Sequence, residues 1–520
     1  MDKKKIGFTS RMLYWIEKGG NALPHPATLF AILAFLVLIF SWIGGYLFDW
    51  AAVHPATGET IHAVNLFSKE GLHKILLEMV DNYTGFAPLG VVMVALLGIG
   101  IAESSGLIST AIRLLILKSP KKIITFVIVF AGVSSNTASD LGYVLVIPMG
   151  GLIYHSIGRH PIAGMAAAFA GVSGGFSANL MIGTIDPLLA GLSTEAARII
   201  DPDYYVLPTA NYYFMAVSAF VIAFSGTWVT TRFVEPRLGK YEGDVPHEPI
   251  EKLSDKERKG LKWVILVTLM WLAILLTGLV PENGFLRGPE NSVLRSPVLK
   301  GFIGLLFLMA ASLGIVYGFI TGKFKNDSDV INGMVGNFKT LASFLVLVFF
   351  AAQFVAYFKW SNLGLIIAID GARLLQEMEI GMIPLLIMFI ILSGIINLFM
   401  GSASAKWAIL GPVFIPMFML LGYSPELSQA VYRIGDSVTN IISPMMSFFA
   451  LILVYLEKYD SKAGIGTLIS TMIPYTIVFF IAWSLLLIAW TLLGLPLGPG
   501  AGRSEERRVG QECRSPWSPY

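Results

Sequence analysis

The chain has 520 residues, of which 55% are hydrophobic and 14% charged, and its formal charge is +3. A mean hydropathy of +0.70 excludes an ordinary soluble domain, because no soluble core needs that much apolar surface. The small, dispersed positive charge excludes nucleic acid as a partner, and the single cysteine, Cys513, excludes a disulfide framework or a cysteine metal site.

In chain order, residues 1–25 are basic and mostly polar, read as a cytoplasmic N-terminus with no cleavable signal. A bilayer core of about 30 Å takes about 20 apolar residues per helix. Nine runs qualify: 26–48, 83–105, 161–190, 209–232, 262–280, 299–321, 340–358, 427–456 and 466–494. Residues 50–80 and 107–118 read as interfacial or connecting helices. A charged linker, 233–262, divides a first half (26–232) from a second half (263–500), and 501–520 reads as a disordered or appended tail.

Two further apolar stretches, 122–155 and 383–421, have polar centres made of small residues: FAGVSSNTASDLGYVLVIPMGG and NLFMGSASAKWAILGPVFIPMF. Irregular backbone at membrane depth survives only where protein or a watery cavity satisfies it, so each is expected to be a re-entrant hairpin with a buried tip. Lys3, Lys4, Lys5, Arg11 and Lys18 hold the N-terminus inside by the positive-inside bias. The cluster Lys118–Lys122, the connection from Arg232 to Lys262, and Lys323–Lys325 fall on the same side. The loops at 281–298 and 359–380 fall outside, although they carry Arg287, Arg295 and Arg373. The two hairpins then enter from opposite faces, the mark of an inverted repeat. Residue matches follow the same order: Ile147-Pro148 with Ile415-Pro416 at an offset of 268, then His160-Pro161 with Ser424-Pro425 and Gly171 with Gly435 at 264.

The tips place Ser134, Ser135, Asn136 and Thr137, and Ser402, Ala403 and Ser404, at the bilayer centre. Hydroxyls, amides and freed carbonyls suit a hard cation such as sodium, and the following helix N-termini suit a carboxylate. The alternative is that small polar residues only allow close helix packing. The helices after the hairpins repeat the pattern. One carries Gly171, Ser173, Gly174, Gly175, Ser177, Asn179 and Asp186-Pro187; the other carries Arg433, Asp436, Ser437, Thr439, Asn440, Ser443 and Pro444. Glycine costs about 1 and proline about 3 kcal/mol of helix propensity, so their concentration beside oxygen side chains points to deliberate unwinding rather than a plain kink.

Charges inside spans are the sharpest signal, each costing at least about 2.5–3.5 kcal/mol to insert. Asp186, Arg433 and Asp436 are three such charges. Arg433 and Asp436 are spaced i, i+3 and are expected to neutralise each other in part. In a functional role Arg433 meets an anionic substrate group and Asp436 a proton or cation; in a structural one they make an inter-helix salt bridge. Lys406 and Trp407 follow the second tip, where Trp407 either stacks on an aromatic ligand or packs. Asp140 stays unassigned, and His155 and His160 are expected to be solvated.

An enzyme is disfavoured. Gly171-Val172-Ser173-Gly174 fits the GxSG pattern of intramembrane serine proteases, but all seven histidines read as loop or membrane-edge positions, leaving the serine without a base. There is no HExxH and no P-loop, and no cofactor is expected beyond a coupling sodium ion or proton.

The ordered motifs SSNTASD, GFSANLMIGTIDPLLAG, GSASAKWAILGPVFIP and YRIGDSVTNIISPMM resemble the p-aminobenzoyl-glutamate transporter (AbgT) family over residues 10–495. The paired hairpins are similar, more distantly, to those of sodium/dicarboxylate transporters. The resemblance implies a homodimer of nine-span protomers with two hairpins in the bacterial inner membrane. It also implies cation-coupled movement of an anionic aromatic substrate, p-aminobenzoyl-glutamate or p-aminobenzoate, and in some members export of sulfonamide antimetabolites. Carried over by motif, its functional positions fall on Asp186, Ser404, Trp407, Pro425, Arg433, Asp436 and Pro444. The oxygen-bearing residues Ser135, Asn136, Thr137, Asn179, Ser437, Thr439 and Asn440 are the candidate cation ligands. An ion channel is the alternative of another class.

Overall fold

A computed structural model describes residues 24–53, 58–117, 119–137, 142–243, 252–293, 296–461, 463–499 and 501. The basic residues Lys3, Lys4, Lys5, Arg11 and Lys18, together with His54, Lys118, Asp140, His247, Arg295 and the tail from 502 with Cys513, lie outside the described residues. The described chain is predominantly helical, with a single short pair of strands among the described residues.

Helix α1 (Pro26–Trp42) is the first apolar span. Residues 50–80 were expected to be helical throughout, but they begin with a short antiparallel pair, β1 (Ala51–Val53) and β2 (Thr60–His62), with Ala51 opposite His62. Gly58 in the connection takes the left-handed φ of 72°, which a glycine adopts without steric cost. Helices α2 (Lys69–Thr84), α3 (Ala87–Ser104) and α4 (Leu107–Leu117) follow.

The first hairpin is α5 (Ile124–Ser135) and α6 (Ile147–Ser156). At 1.5 Å per residue these arms reach about 18 and 15 Å, about half of a 30 Å bilayer core. Expected span 161–190 is two helices, α7 (Pro161–Phe169, continued by a wide turn to Gly174) and α8 (Ile185–Ala197), with residues 175–184 unwound between them. Then come α9 (Tyr212–Val229), α10 (Asp255–Leu279), α11 (Phe302–Thr321) and the 34-residue α12 (Asp327–Trp360). The stretch 359–380, expected as an outside loop, is mostly helix: α13 (Leu363–Glu377) turns 69° from the end of α12, with Asn362 at φ 59° in the bend. Its apolar face, Leu363, Ile366 and Ile369, is buried, which explains why a charged segment folds back onto the protein.

The second hairpin is α14 (Met382–Phe399) and α15 (Ala403–Leu420). The second broken helix is α16 (Pro425–Asn440) and α17 (Phe449–Glu457), and α18 (Ile465–Leu492) closes the chain. Eight described helical segments are long and apolar enough to cross a membrane, or nine if the bent α12–α13 pair is one span. The 18-residue arms of the second hairpin are two of the eight, and the broken helices at 161–190 and 427–456 are not among them.

The two halves repeat at the level of packing. α7 and α16 both open with proline at the first helical position, after His160 and Ser424. Gly171, in the continuation of α7, presses on the Val129 carbonyl of α5. Gly435, on α16, presses in the same way on the Ile390 carbonyl of α14. Across each crossing stands a second glycine, Gly132 or Gly394, so that small residues let the backbones approach. The carbonyls register the first arms at an offset of 261 and the second glycines at 262, not 268, so Ser135 stands near the level of Asn397 in the second half. The difference is taken up by longer arms in the second hairpin, 18 residues each against 12 and 10, around a tip of only 400–402.

His155, expected to be solvated, is buried at 6% exposure and meets Tyr241 and Tyr459 edge to face. Tyr241 belongs to the start of the linker, which packs back on the hairpin at this residue. His160 is half-buried beside the same ring; burial pushes its imidazole below the ordinary value, while Asp460 and Glu235 pull it upward.

Candidate functional site

Helix α16, PELSQAVYRIGDSVTN, is polar yet buried on nearly every side. Buried polar groups cost free energy unless they are paired, so each needs a partner from a neighbouring element. The partners run the length of the helix. Glu426 accepts from the Tyr204 hydroxyl at 2.9 Å, and Gln429 accepts from Ser193 Oγ at 2.7 Å while donating to Asn211 Oδ1 at 2.8 Å.

Two turns further on lie the charges. Arg433 Nη2 is 2.6 Å from Asp186 Oδ1 and donates to the Ser177 carbonyl at 3.1 Å. Asp186 sits in the first turn of α8, where the positive end of the helix favours a carboxylate, and it also accepts from the Gly183 amide at 2.8 Å. Lys406 Nζ is 2.5 Å from Asp436 Oδ1 and also contacts Asn397 Oδ1. The Asn397 amide nitrogen lies 2.7 Å from Asp436 O and 2.8 Å from both Thr439 Oγ1 and Asn440 Oδ1. Ser437 Oγ accepts from the Ser177 amide at 3.2 Å.

This corrects the expected pairing of Arg433 with Asp436. Their i, i+3 spacing does put them on one side of α16, but each meets an opposite charge from another helix. A cross-helix partner lets each charge keep its own counter-ion, and two separate inter-helix bridges form instead of one intra-helix pair.

Trp407 is fully buried on α15. Its ring stacks on Tyr432 at 4.5 Å between centroids, and its indole N–H donates to Ser193 Oγ at 2.9 Å. Ser404 is half-buried, with Ser402 Oγ 3.4 Å away. The tip at Gly401 rests on the backbone of Met445 and Met446, in the unwound segment that also holds Pro444. Pro425 stands apart, about 12 Å up α16 from Arg433.

The first-half candidates form their own group. Asn136 donates to Val133 O at 3.2 Å and Gly175 O at 3.4 Å, while its Oδ1 is buried with no hydrogen-bond partner. The Asn179 amide, oriented to suit its neighbours, donates to Ala178 O at 3.0 Å and Val133 O at 3.3 Å. Ser135 turns its hydroxyl back to Gly132 O at 2.6 Å, and Thr137 is only partly buried. The tip and the unwound segment touch where Gly183 packs on Asn136 and Thr137. Ser173, of the protease-like pattern, donates to Met446 Sδ at 3.1 Å.

Sequence reasoning missed Asn397, Ser193 and Gln429 and left Lys406 without a role. Lys406 was detectable as an ionisable side chain in an apolar 18-residue helix; the amides carried no comparable signal.

Broken helices facing hairpin tips, with paired charges held dry between them, define a polytopic membrane transporter. The sequence profile of the AbgT putative transporter family matches residues 11–504, and the chain belongs to that family. It is 38% identical over 493 residues to the p-aminobenzoyl-glutamate transport protein of Escherichia coli (strain K12), covering 95% of this chain and 97% of that one. Among solved structures, it is similar to Neisseria gonorrhoeae MtrF, described among antimetabolite efflux pumps. That match has TM-score 0.90 and 52% identity, and covers 94% of this chain and all of MtrF. The Alcanivorax borkumensis YdaH transporter aligns with TM-score 0.87 and 47% identity, over 92% of this chain and all of YdaH. The protein is a transporter and not an enzyme.

Proposed function

We propose that the protein moves p-aminobenzoyl-glutamate or a related aminobenzoate across the bacterial inner membrane, coupled to sodium ions or protons. The observation that carries this reading is the pair of dry salt bridges, Arg433–Asp186 and Lys406–Asp436, on one polar helix beside two unwound segments. An anionic substrate competes with Asp186 for Arg433, and the freed carboxylate takes up a cation or proton. Exchange of partners is cheap where outright loss of one is not. Ser404 and Pro444 border this exchange, and Pro425 fixes the start of α16. Trp407 offers its ring to the aminobenzoyl group once Tyr432 moves aside. Cation ligation falls to the first tip, with Ser135, Asn136, Thr137 and Asn179, where Asn136 Oδ1 is the unpaired oxygen. In the second half Ser437, Thr439 and Asn440 form the matching group, and the Lys406 ammonium stands beside its amides.

In this reading the protomer works as half of a homodimer by alternating access. Its N-terminus and the linker at 233–262 lie in the cytoplasm, and the hairpins at 122–155 and 383–421 enter from opposite faces.

Export of sulfonamide-type antimetabolites is the second reading, supported by the 52% identity to MtrF. Proteoliposomes decide between them: uptake of labelled p-aminobenzoyl-glutamate is measured with sodium and pH gradients imposed separately, with a sulfonamide as competitor. Saturable, gradient-dependent uptake is the expected result. Transport of the sulfonamide alone supports the second reading, and uncoupled current without saturation overturns both.

A further inference from the structure

Two clefts open side by side where α4, α10 and α11 meet, away from the paired charges of α16. The first, of about 580 Å³, is lined by four cations, Arg113, Lys252, Lys256 and Lys323. Glu257 is the one carboxylate among its described lining residues, and it is fully engaged. One of its oxygens pairs with Arg113; the other accepts from the Ser254 amide at 2.7 Å in the cap of α10. The three lysines therefore face the cleft with no carboxylate in it to answer them, and Arg113 Nε is buried without a hydrogen-bond partner. Ser109 and Thr110 add hydroxyls to the wall, and Tyr317 donates to Thr110 at 2.8 Å.

The second cleft, of about 710 Å³, is apolar. Leu114, Leu117, Leu261 and Ile265 line it, with Arg258 and Lys262 at its edge. Lys252 lines both clefts, so a cationic lobe and an apolar lobe meet at one ammonium. The apolar lobe also opens sideways: only 6% of the apolar window of α10 is buried, and Ile265 is 60% exposed.

We propose that these clefts hold an anionic phospholipid, its phosphate headgroup among Arg113, Lys252, Lys256 and Lys323 and an acyl chain along Leu114, Leu117, Leu261 and Ile265. Basic pockets between membrane helices at the bilayer edge have the chemistry that recognises such headgroups. A soluble phosphate satisfies the cations but has nothing to place in the apolar lobe; a zwitterionic lipid fills that lobe but leaves the lysines unanswered. The site is independent of the transported substrate.

Native mass spectrometry of the purified full chain tests this, with phosphatidylglycerol, phosphatidylcholine and inorganic phosphate as probes. The expected result is retention of phosphatidylglycerol over phosphatidylcholine by at least about tenfold. Lys252→Gln/Lys256→Gln/Lys323→Gln, all at exposed positions, removes the preference. Leu261→Trp fills the apolar lobe and removes binding with the charges intact, and the exposed Ile265→Trp serves as a second variant should Leu261→Trp fail to fold. Equal retention of the two lipids by the wild type overturns the proposal. So does displacement of phosphatidylglycerol by inorganic phosphate, or binding that survives both tryptophan variants, each of which marks a soluble-anion site.

Discussion

Lys406 and Asp436 lie 2.5 Å apart with side chains 0% and 2% exposed, so each supplies the other's counter-charge in a dry interior. Removing one partner of such a pair costs about 3–5 kcal/mol, whereas replacing both with apolar groups is often neutral. Lys406→Met is expected to lower thermal stability sharply in detergent, and Lys406→Met/Asp436→Leu to recover most of it while remaining transport-dead. A double variant as unstable as the single one would show that the polar amides around Asn397, not the charge pair, set the cost.

Arg433 makes two contacts that one lysine cannot reproduce, the bridge to Asp186 and the bond to the Ser177 carbonyl. Arg433→Lys keeps the charge but loses the planar fork, so a fall in transport of about tenfold or more is expected with modest loss of stability. Asp436→Asn tests coupling separately. If that variant accumulates substrate normally across imposed pH and sodium gradients, Asp436 has no coupling role.

Trp407 separates packing from recognition. Trp407→Phe keeps a ring against Tyr432 and loses the bond to Ser193, a cost of about 1 kcal/mol. Trp407→Ala removes the ring from a fully buried site and costs about 3–5 kcal/mol. Thermal unfolding measures both. A weaker substrate KM in the stable Phe variant is the expected sign that the indole also serves the ligand.

The helix crossings give a contrast with an internal control. Gly171→Ala and Gly435→Ala each drive a methyl into a neighbouring carbonyl, and a loss of about 1–3 kcal/mol is expected for each. Gly90, on α3, has open space around it, so Gly90→Ala is expected to raise stability by up to about 1 kcal/mol. Melting temperatures of the three variants, taken together, check the sign.

His160 gives the protein an acid-side weakness. Because burial holds its imidazole below the ordinary value, the fold favours the neutral form. The contribution is fully present above the free-histidine value of about 6.5 and is lost as pH falls through the lower folded value. Melting temperatures between pH 7.5 and 5 are expected to decline less in His160→Asn than in the wild type.

The hairpins and broken helices were legible in the sequence because insertion into lipid penalises glycine, proline, serine and charge so heavily that their clustering has few other causes. The equivalence of Gly171 with Gly435 was legible for the same reason, since only a residue without a side chain fits either crossing. Charge partners were not. Spacing along α16 placed Arg433 beside Asp436, but Asp186 and Lys406 arrive from helices hundreds and tens of residues away, and a single sequence has no term for that approach. The helical nature of 363–377 was missed because Arg373 read as a loop charge, although it lies with Asp370 on the exposed face of an amphipathic helix.

The polar character of α16 also bears on how the protein is made. A segment carrying Glu426, Arg433 and Asp436 has too little oil affinity to leave the translocation channel for lipid unaided. Gln429, Arg433 and Ser437 are matched by groups from the N-terminal half, Ser177, Asp186, Ser193 and Asn211, and Asp436 by Lys406 of the preceding hairpin. Because the chain is made from its N-terminus, these partners and Lys406 have all been synthesised by the time α16 emerges. The order of segments along one chain is thus part of what lets so hydrophilic a helix sit at the centre of this membrane protein.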